Sequence, residues 1–147
     1  MTMLVGNEAI RQLIPHAGEM CLLDAVTAWD ESSIQCTTNS HRDLNNPLRR
    51  GNQLSIVTAM EYGAQAMAIH GGLLAKQAGQ PNISGYLVAL RDVKLMRARL
   101  DDIEATLTVS ANQLLASHGN MVYEIVVQNQ DEVVASGRVT VMSSAET

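Results

Sequence analysis

Residues 52–72 read NQLSIVTAMEYGAQAMAIHGG. Apolar and small residues recur here at helical spacing. Met60, Ala64, Met67 and His70 follow one another at three- and four-residue steps, as do Val57, Glu61, Gln65 and Ala68. The pattern predicts one long helix over residues 52–79, with the Gly71-Gly72 pair as a place where it caps or loosens early. Nearly every feature of this helix says core, except one carboxylate. A helix interior offers a carboxylate no free backbone partner, so burying Glu61 is costly unless it is protonated or paired. Gln65, one turn on, projects from the same face, where its amide can bond that carboxyl group or a shared ligand. Small residues at 59, 63, 64, 66 and 68 let another backbone or a thin substrate approach closely. Glu61 is therefore a candidate functional acid, set against the plainer reading of a core helix whose single acid reaches a rim of solvent.

The rest of the composition frames that helix. A chain of 147 residues is long enough for one domain with a full core. With three Tyr, one Trp and no Phe, its interior must be filled by Ala, Leu, Val and eight Met, an adaptable apolar lining. No run reaches the roughly 18 apolar residues of a membrane span, and the first residues lack a basic-then-apolar signal, so a cytoplasmic protein without membrane insertion is expected. Cys21 and Cys36 make neither a disulfide framework nor a metal set. A net charge of −5 argues against nucleic acid as the main partner. Seven of the ten basic residues nevertheless fall in two short stretches, Arg42, Arg49 and Arg50, then Arg91, Lys94, Arg97 and Arg99. Such clustering in an acidic chain forms either a patch for an anion or a set of solvated loops and strand edges.

Patterning places the remaining elements. Residues 7–13 form a short helix with Asn7 as N-cap, and residues 20–29 and 33–38 form two strands around Asp30-Glu31-Ser32. Residues 39–51 are polar and turn-rich and lead into the long helix. Four further strands follow, over 84–96, 103–114, 121–128 and 132–142. A long apolar helix between a hairpin and an antiparallel meander needs a curved sheet to cover it, since both need an apolar partner. The expected class is α+β, a hotdog fold in which a curved antiparallel sheet wraps around a central helix, as a single domain over residues 1–147. The meander ends in an apolar strand, so a sheet edge is left to cover, and pairing with a second chain is the simplest remedy.

The residues also carry a family resemblance. Ile14-Pro15-His16-Ala17-Gly18-Glu19-Met20-Cys21-Leu22-Leu23-Asp24 resembles the proline-histidine, leucine-leucine, aspartate opening of hotdog 3-hydroxyacyl-[acyl-carrier-protein] dehydratases. Met60-Glu61-Tyr62-Gly63-Ala64-Gln65 resembles the Glu-Ala-Met-Ala-Gln stretch of their central helix. With Asn45-Asn46-Pro47-Leu48-Arg49 added, the set is similar to a subgroup associated with aryl-polyene biosynthesis. The resemblance implies dehydration of a β-hydroxyacyl thioester to its trans-2-enoyl form. The acyl chain is carried on the phosphopantetheine of an acyl carrier protein, and the enzyme needs no cofactor of its own. It implies further that a histidine takes the α-proton while an acid on the central helix, matched here by Glu61, protonates the departing hydroxyl. The family's histidine lies in a Gly-His-Phe-Pro-Gly loop at a place where this chain has Pro47, and Leu48-Arg49-Arg50-Gly51-Asn52 stands for the rest of that loop.

Another base must then be found. His16 belongs to the opening motif, where the family's histidine looks structural. His41 lies in the right connection, either to swing in from a loop or to remain solvated. His70 stands about 13 Å beyond Glu61 along the helix axis, on a helix face or lining a tunnel. His118 falls in a hairpin turn. Two other classes stay open. A hotdog thioesterase would use Glu61 as base or nucleophile, with backbone N–H groups of Gly51, Asn52 and Gln53 at the helix N-terminus polarising the thioester carbonyl. A non-catalytic subunit would instead complete the tunnel of an active hotdog partner. Arg49 and Arg50 are the cations expected at the carrier's phosphate, with Arg97 and Arg99 as a second pair. Either a homodimer or a heterodimer with another hotdog chain is expected, with Glu61 near the subunit junction.

Overall fold

A computed structural model of the chain describes residues 5–13, 21–80, 85–117 and 119–143. A seven-stranded antiparallel sheet curves around one long helix. The elements are β1 (Val5–Gly6), α1 (Asn7–Leu13), β2 (Ala25–Trp29), β3 (Ser33–Thr38), α2 (Ala59–Gln77), β4 (Gly85–Leu95), β5 (Leu107–Ser117), β6 (Asn120–Asn129) and β7 (Glu132–Ser143). Their order across the sheet is β1-β2-β3-β5-β6-β7-β4. The hotdog arrangement expected from the sequence is thus the one observed.

Strict alternation makes the strands two-faced. Along β3, Ile34, Cys36 and Thr38 are buried between half-exposed neighbours, and along β5 Leu107, Val109 and Ala111 do the same. Register carries these residues into continuous rows on the concave face. One row runs Cys36, Val109, Val127 and Ala135, all completely buried, and ends at Leu95 on β4. Against this face lies α2, which buries Tyr62, Gly63, Ala66, Ile69, His70 and Leu73.

Gly63 sets the distance between helix and sheet. A Cβ at this position would lie 2.3 Å from Cδ1 of Ile125 on β6, well inside van der Waals contact. The other two helix glycines do not break α2, which runs through both.

Two features differ from the sequence reading. The helix begins seven residues later than residue 52. Arg50 and Gln53 exchange backbone hydrogen bonds across a tight turn whose central residues, Gly51 and Asn52, have φ of 57° and 66°. A 3₁₀ turn at Ile56–Thr58, capped by the Ser55 side chain, then leads into α2. Paired positive φ values make a hairpin-type turn, which cannot continue into a helix. The second difference is which edge is open. The last strand, β7, is covered on both sides, whereas β4, the first of the final four, crosses over to the far edge of the sheet. Edge-strand features are present in its sequence: two register breaks, Asp92 with φ of 53°, and the charges of Arg91, Asp92 and Lys94.

Gly63→Ala is expected to destabilise the fold by about 1–3 kcal/mol through overpacking on Ile125. Gly71, beside which a Cβ would meet nothing within 4 Å, is the matched control. Gly71→Ala is expected to stabilise by roughly 0.5–1 kcal/mol, because alanine loses less backbone entropy in a helix interior. Urea unfolding of the two variants checks the opposite signs.

Candidate functional site

The first turn of α2 presents Glu61 to solvent. Glu61 is exposed, not buried as the helical pattern suggested, and so is Ala64 on the same side. The reason is the extent of the sheet. The row Cys36–Val109–Val127–Ala135 is sealed by α2, but its continuation, Leu95, is 39% exposed, and Leu90 and Leu87 behind it are 44% and 55% exposed. The concave face of β4 and the Glu61 side of α2 therefore both remain uncovered. Val57, 59% exposed, adds to the same apolar area at the helix start. Met60 packs where Gly137 and the Val93 bulge leave room, which seats the turn bearing Glu61 beside the β4 edge. An acid in the first turn of a helix is favoured by the positive end of the helix dipole.

Gln65 does not join Glu61 in solvent. It is buried, and its Oε1 accepts a hydrogen bond from the Leu22 backbone N–H at 2.8 Å, tying the segment after the proline-histidine motif to α2. The expected substrate-binding role gives way to this anchoring contact. Beside it, the hydroxyl of buried Tyr62 bonds Ser40 Oγ at 2.9 Å and accepts from Asn46 Nδ2 at 3.1 Å. Ser40 Oγ also donates to the Leu22 carbonyl at 2.6 Å. Sequence reasoning missed Tyr62 and Asn46, although a tyrosine on a core helix needs a partner for its hydroxyl and a polar loop of the Asn45-Asn46-Pro47 kind can supply one.

The two histidines within the described residues are structural. His41 is fully buried beneath the 40–42 turn, with its Nε2 3.0 Å from the Ile103 carbonyl. It is neither solvated nor free to swing toward Glu61. Burial lowers its pKa, against the opposing pull of the Ile103 carbonyl. His70 faces the core. Its Nε2 lies 2.8 Å from the Asp30 carbonyl and its Nδ1 2.6 Å from the Tyr123 hydroxyl. With Nε2–H donating to the carbonyl, Nδ1 accepts from the tyrosine, which in turn accepts from Gln113 Nε2 at 3.1 Å. Burial lowers the His70 pKa as well. His16 and His118 lie outside the described residues.

Arg49, expected at a phosphate, is instead the brace of its own loop. Its Nε donates to the Asp43 carbonyl at 2.8 Å and its Nη1 to the Asn52 carbonyl at 2.9 Å, and only 10% of its side chain is exposed. Arg99 is bonded to Asp101, which also accepts from the Leu54 N–H at 2.9 Å. Those contacts, Arg99 first, hold the Asp101 carboxyl well below the usual carboxylate range. Arg97 pairs with Asp102 at 3.2 Å and with Glu132 at 3.8 Å. Arg50 is exposed, and its guanidinium donates to the Arg49 carbonyl. Gly51 and Asn52 form the tight turn ahead of the 3₁₀ segment and so do not sit at the N-terminus of α2, and the Gln53 N–H is spent on the Arg50 carbonyl. The proposed thioester-polarising donors are thus not assembled.

No cluster of ligands fit for a metal ion occurs among the described residues. Burial pushes the Cys36 thiol up to about 12 and raises Cys21 as well, so neither offers a ready thiolate. No helix among the described residues is long and apolar enough to cross a membrane. A polar cleft lined by Arg11, Asp24, Asn39, Asp43 and Pro47 opens beside the 39–47 loop and does not include Glu61.

One exposed acid on a bare apolar face, with the described histidines locked in the core, is the geometry to be matched with known proteins. The sequence profile of the family described as ApeP-like, ApeP dehydratase, matches residues 8–147. The chain belongs to the ApeP-like dehydratase family. Among solved structures it is similar to the dehydratase heterocomplex ApeI:P from Xenorhabdus doucetiae, at 22% identity and a TM-score of 0.83, over 93% of this chain and 91% of that one. A hypothetical thioesterase with coenzyme A from Streptococcus pneumoniae shares 15% identity over 82% of this chain and 88% of that one, with a TM-score of 0.60. A thioesterase from Haemophilus influenzae shares 13% identity over 97% and 94%, also at 0.60. At these identities the solved structures establish the shared fold. No curated protein matches the sequence.

Buried neutral histidines make stability pH-dependent with a definite sign. Both groups bind protons more weakly folded than unfolded. Stability is therefore full above the ordinary histidine pKa of about 6.5 and falls as pH drops below it. The urea midpoint is expected to be lower at pH 5.5 than at pH 7.5, and His70→Gln to reduce the difference. Equal midpoints at both pH values would contradict the buried-neutral assignment.

Proposed function

We propose that this chain is one subunit of a dehydratase acting on β-hydroxyacyl groups carried by an acyl carrier protein, in fatty-acid- or polyketide-type biosynthesis of the aryl-polyene kind. A second hotdog chain completes the site. The observation that carries this reading is the placement of Glu61, solvent-exposed on an uncovered apolar face, while both described histidines are buried and bonded elsewhere. Membership of a dehydratase family and likeness to a dehydratase heterocomplex support it.

In the proposed reaction a base from the partner chain removes the proton from C2 of the β-hydroxyacyl thioester. Glu61, in its carboxylic acid form, gives its proton to the hydroxyl on C3, which leaves as water. The C2–H electron pair becomes the C2–C3 double bond of the enoyl product. The phosphopantetheine arm brings the thioester, and Arg50, the exposed cation just ahead of the helix, is placed to meet its phosphate or the acidic carrier.

Three measurements test this reading. The chain alone should dehydrate poorly, and addition of its hotdog partner should restore formation of enoyl product without release of free thiol. Release of free carrier thiol and a carboxylic acid would mark a thioesterase instead. Glu61→Gln in the complex should lower kcat by about 10²–10⁴-fold with folding intact, the range for loss of one general acid. Full activity of that variant would remove Glu61 from the chemistry. Charge reversal separates the two loop arginines. Arg50→Glu should raise KM for carrier-bound substrate while sparing a small thioester mimic, whereas Arg49→Glu should lower stability by breaking the loop's own hydrogen bonds. Equal loss on both substrates for Arg50→Glu would contradict a docking role.

A further inference from the structure

The convex face of the sheet carries a row of side chains whose charges do not close within the chain. Register sets Ser33 beside Asn112, Asn112 beside Glu124, Glu124 beside Arg138, and Arg138 beside Arg91 on the open edge. Glu124 and Arg138 are complementary neighbours, but Arg138 and Arg91 are like charges directly opposite, an unfavourable cross-strand pair. Asp92, at 3.8 Å, relieves Arg138. Arg91 is exposed and has no ion-pair partner among the described residues, and the same holds for Lys94, opposite Ser136. These two cations flank apolar residues that a soluble chain does not leave bare without cause: Val88 is 53% exposed, Leu90 44%, Val93 39% and Leu95 39%. Lysine and arginine on an apolar edge strand are a device against self-pairing.

We propose that Arg91 and Lys94 select the partner. They oppose association of β4 with the same strand of a second copy, and they are met by carboxylates on the edge strand of a different hotdog chain. The inference rests on the reading that this chain functions beside a second hotdog subunit. It adds the charge that the partner carries at the β4 edge. A second copy brings the same two cations to the contact, offset only by Asp92, which is already paired with Arg138, whereas an acidic edge extends the row from Glu124 through Arg138 and Arg91 to a fourth, opposite charge. Specificity of this kind uses repulsion of the wrong partner as much as attraction of the right one.

The test needs this chain alone. A doubly charge-reversed protein, Arg91→Glu with Lys94→Glu, is prepared beside the wild type. Both sites are exposed, and Arg91→Glu removes the like-charge pair with Arg138, so a urea midpoint equal to or above that of the wild type is expected and confirms folding. Wild type and variant are then measured separately and as an equimolar mixture, by native mass spectrometry and sedimentation at low salt. The mixed pair is expected to be at least about tenfold tighter than either self-pair, and the advantage to shrink in high salt. Self-pairs as tight as the mixed pair would overturn the proposal, as would a mixture that forms no pairs. An acidic carrier protein is titrated in parallel. Loss of carrier binding by the variant with no preference for the mixed pair would assign the two cations to the carrier and also overturn the proposal. Turnover enters none of these readings, so a failed dehydration assay would sink the functional reading and leave this one to its own result.

Discussion

The contact between Gly63 and Ile125 is the constraint on which the rest of the structure depends. A side chain at position 63 would force the helix and Ile125 apart, because its Cβ would lie 2.3 Å from Ile125 Cδ1 and 2.8 Å from Ile125 Cβ. With the helix seated, Tyr62 on one side of that glycine reaches Ser40 and Asn46, and Gln65 on the other reaches Leu22. The loop ahead of α2 and the strand segment behind it are thus both referenced to one point on the helix. Glu61 inherits its position from the same contact. Interiors packed near crystal density transmit such a displacement without absorbing it.

Histidine chemistry in this chain follows from what the polar groups near α2 need. His70 bridges the Asp30 carbonyl at the β2–β3 turn and the Tyr123 hydroxyl on β6, tying the turn to the sheet through the helix. His41 bonds the Ile103 carbonyl. Both side chains are held in the core, in surroundings that disfavour their charged form, and neither is presented to the open face beside Glu61. Among the described residues both histidines serve to close the fold, and Glu61 stands on the open side.

That open side has a physical origin in the crossover. Because β4 is carried past β5, β6 and β7 to the far edge, the concave face becomes wider than α2 can cover, and the surplus is apolar. Burying Leu87, Leu90 and Leu95 against another chain contributes on the order of 1.5–3 kcal/mol per side chain fully covered, the usual worth of removing such groups from water. The same association would take Glu61 out of solvent.

Local pattern determined much of this protein. The strand alternation over residues 33–38 and 107–111, the short helix at 7–13, the turn at Asp30-Glu31-Ser32 and the helical run through Gln77 were all legible, because each reflects periodicity or turn chemistry within a few residues. The family-like motifs around Leu22, Asn46 and Glu61 marked the elements that meet. Tertiary structure alone decided the rest. The exposure of Glu61 depends on where the sheet stops, which strand order sets and periodicity does not record. The order itself places β4, read in sequence as the start of a meander, on the edge beyond β7. Arg49, with its guanidinium bonded to the Asp43 and Asn52 carbonyls, and Gln65, bonded to a backbone 43 residues away, look like ligands in sequence because they carry the right polar groups. Only the folded chain shows that those groups already have partners, and a hydrogen bond spent within the protein cannot also hold a substrate.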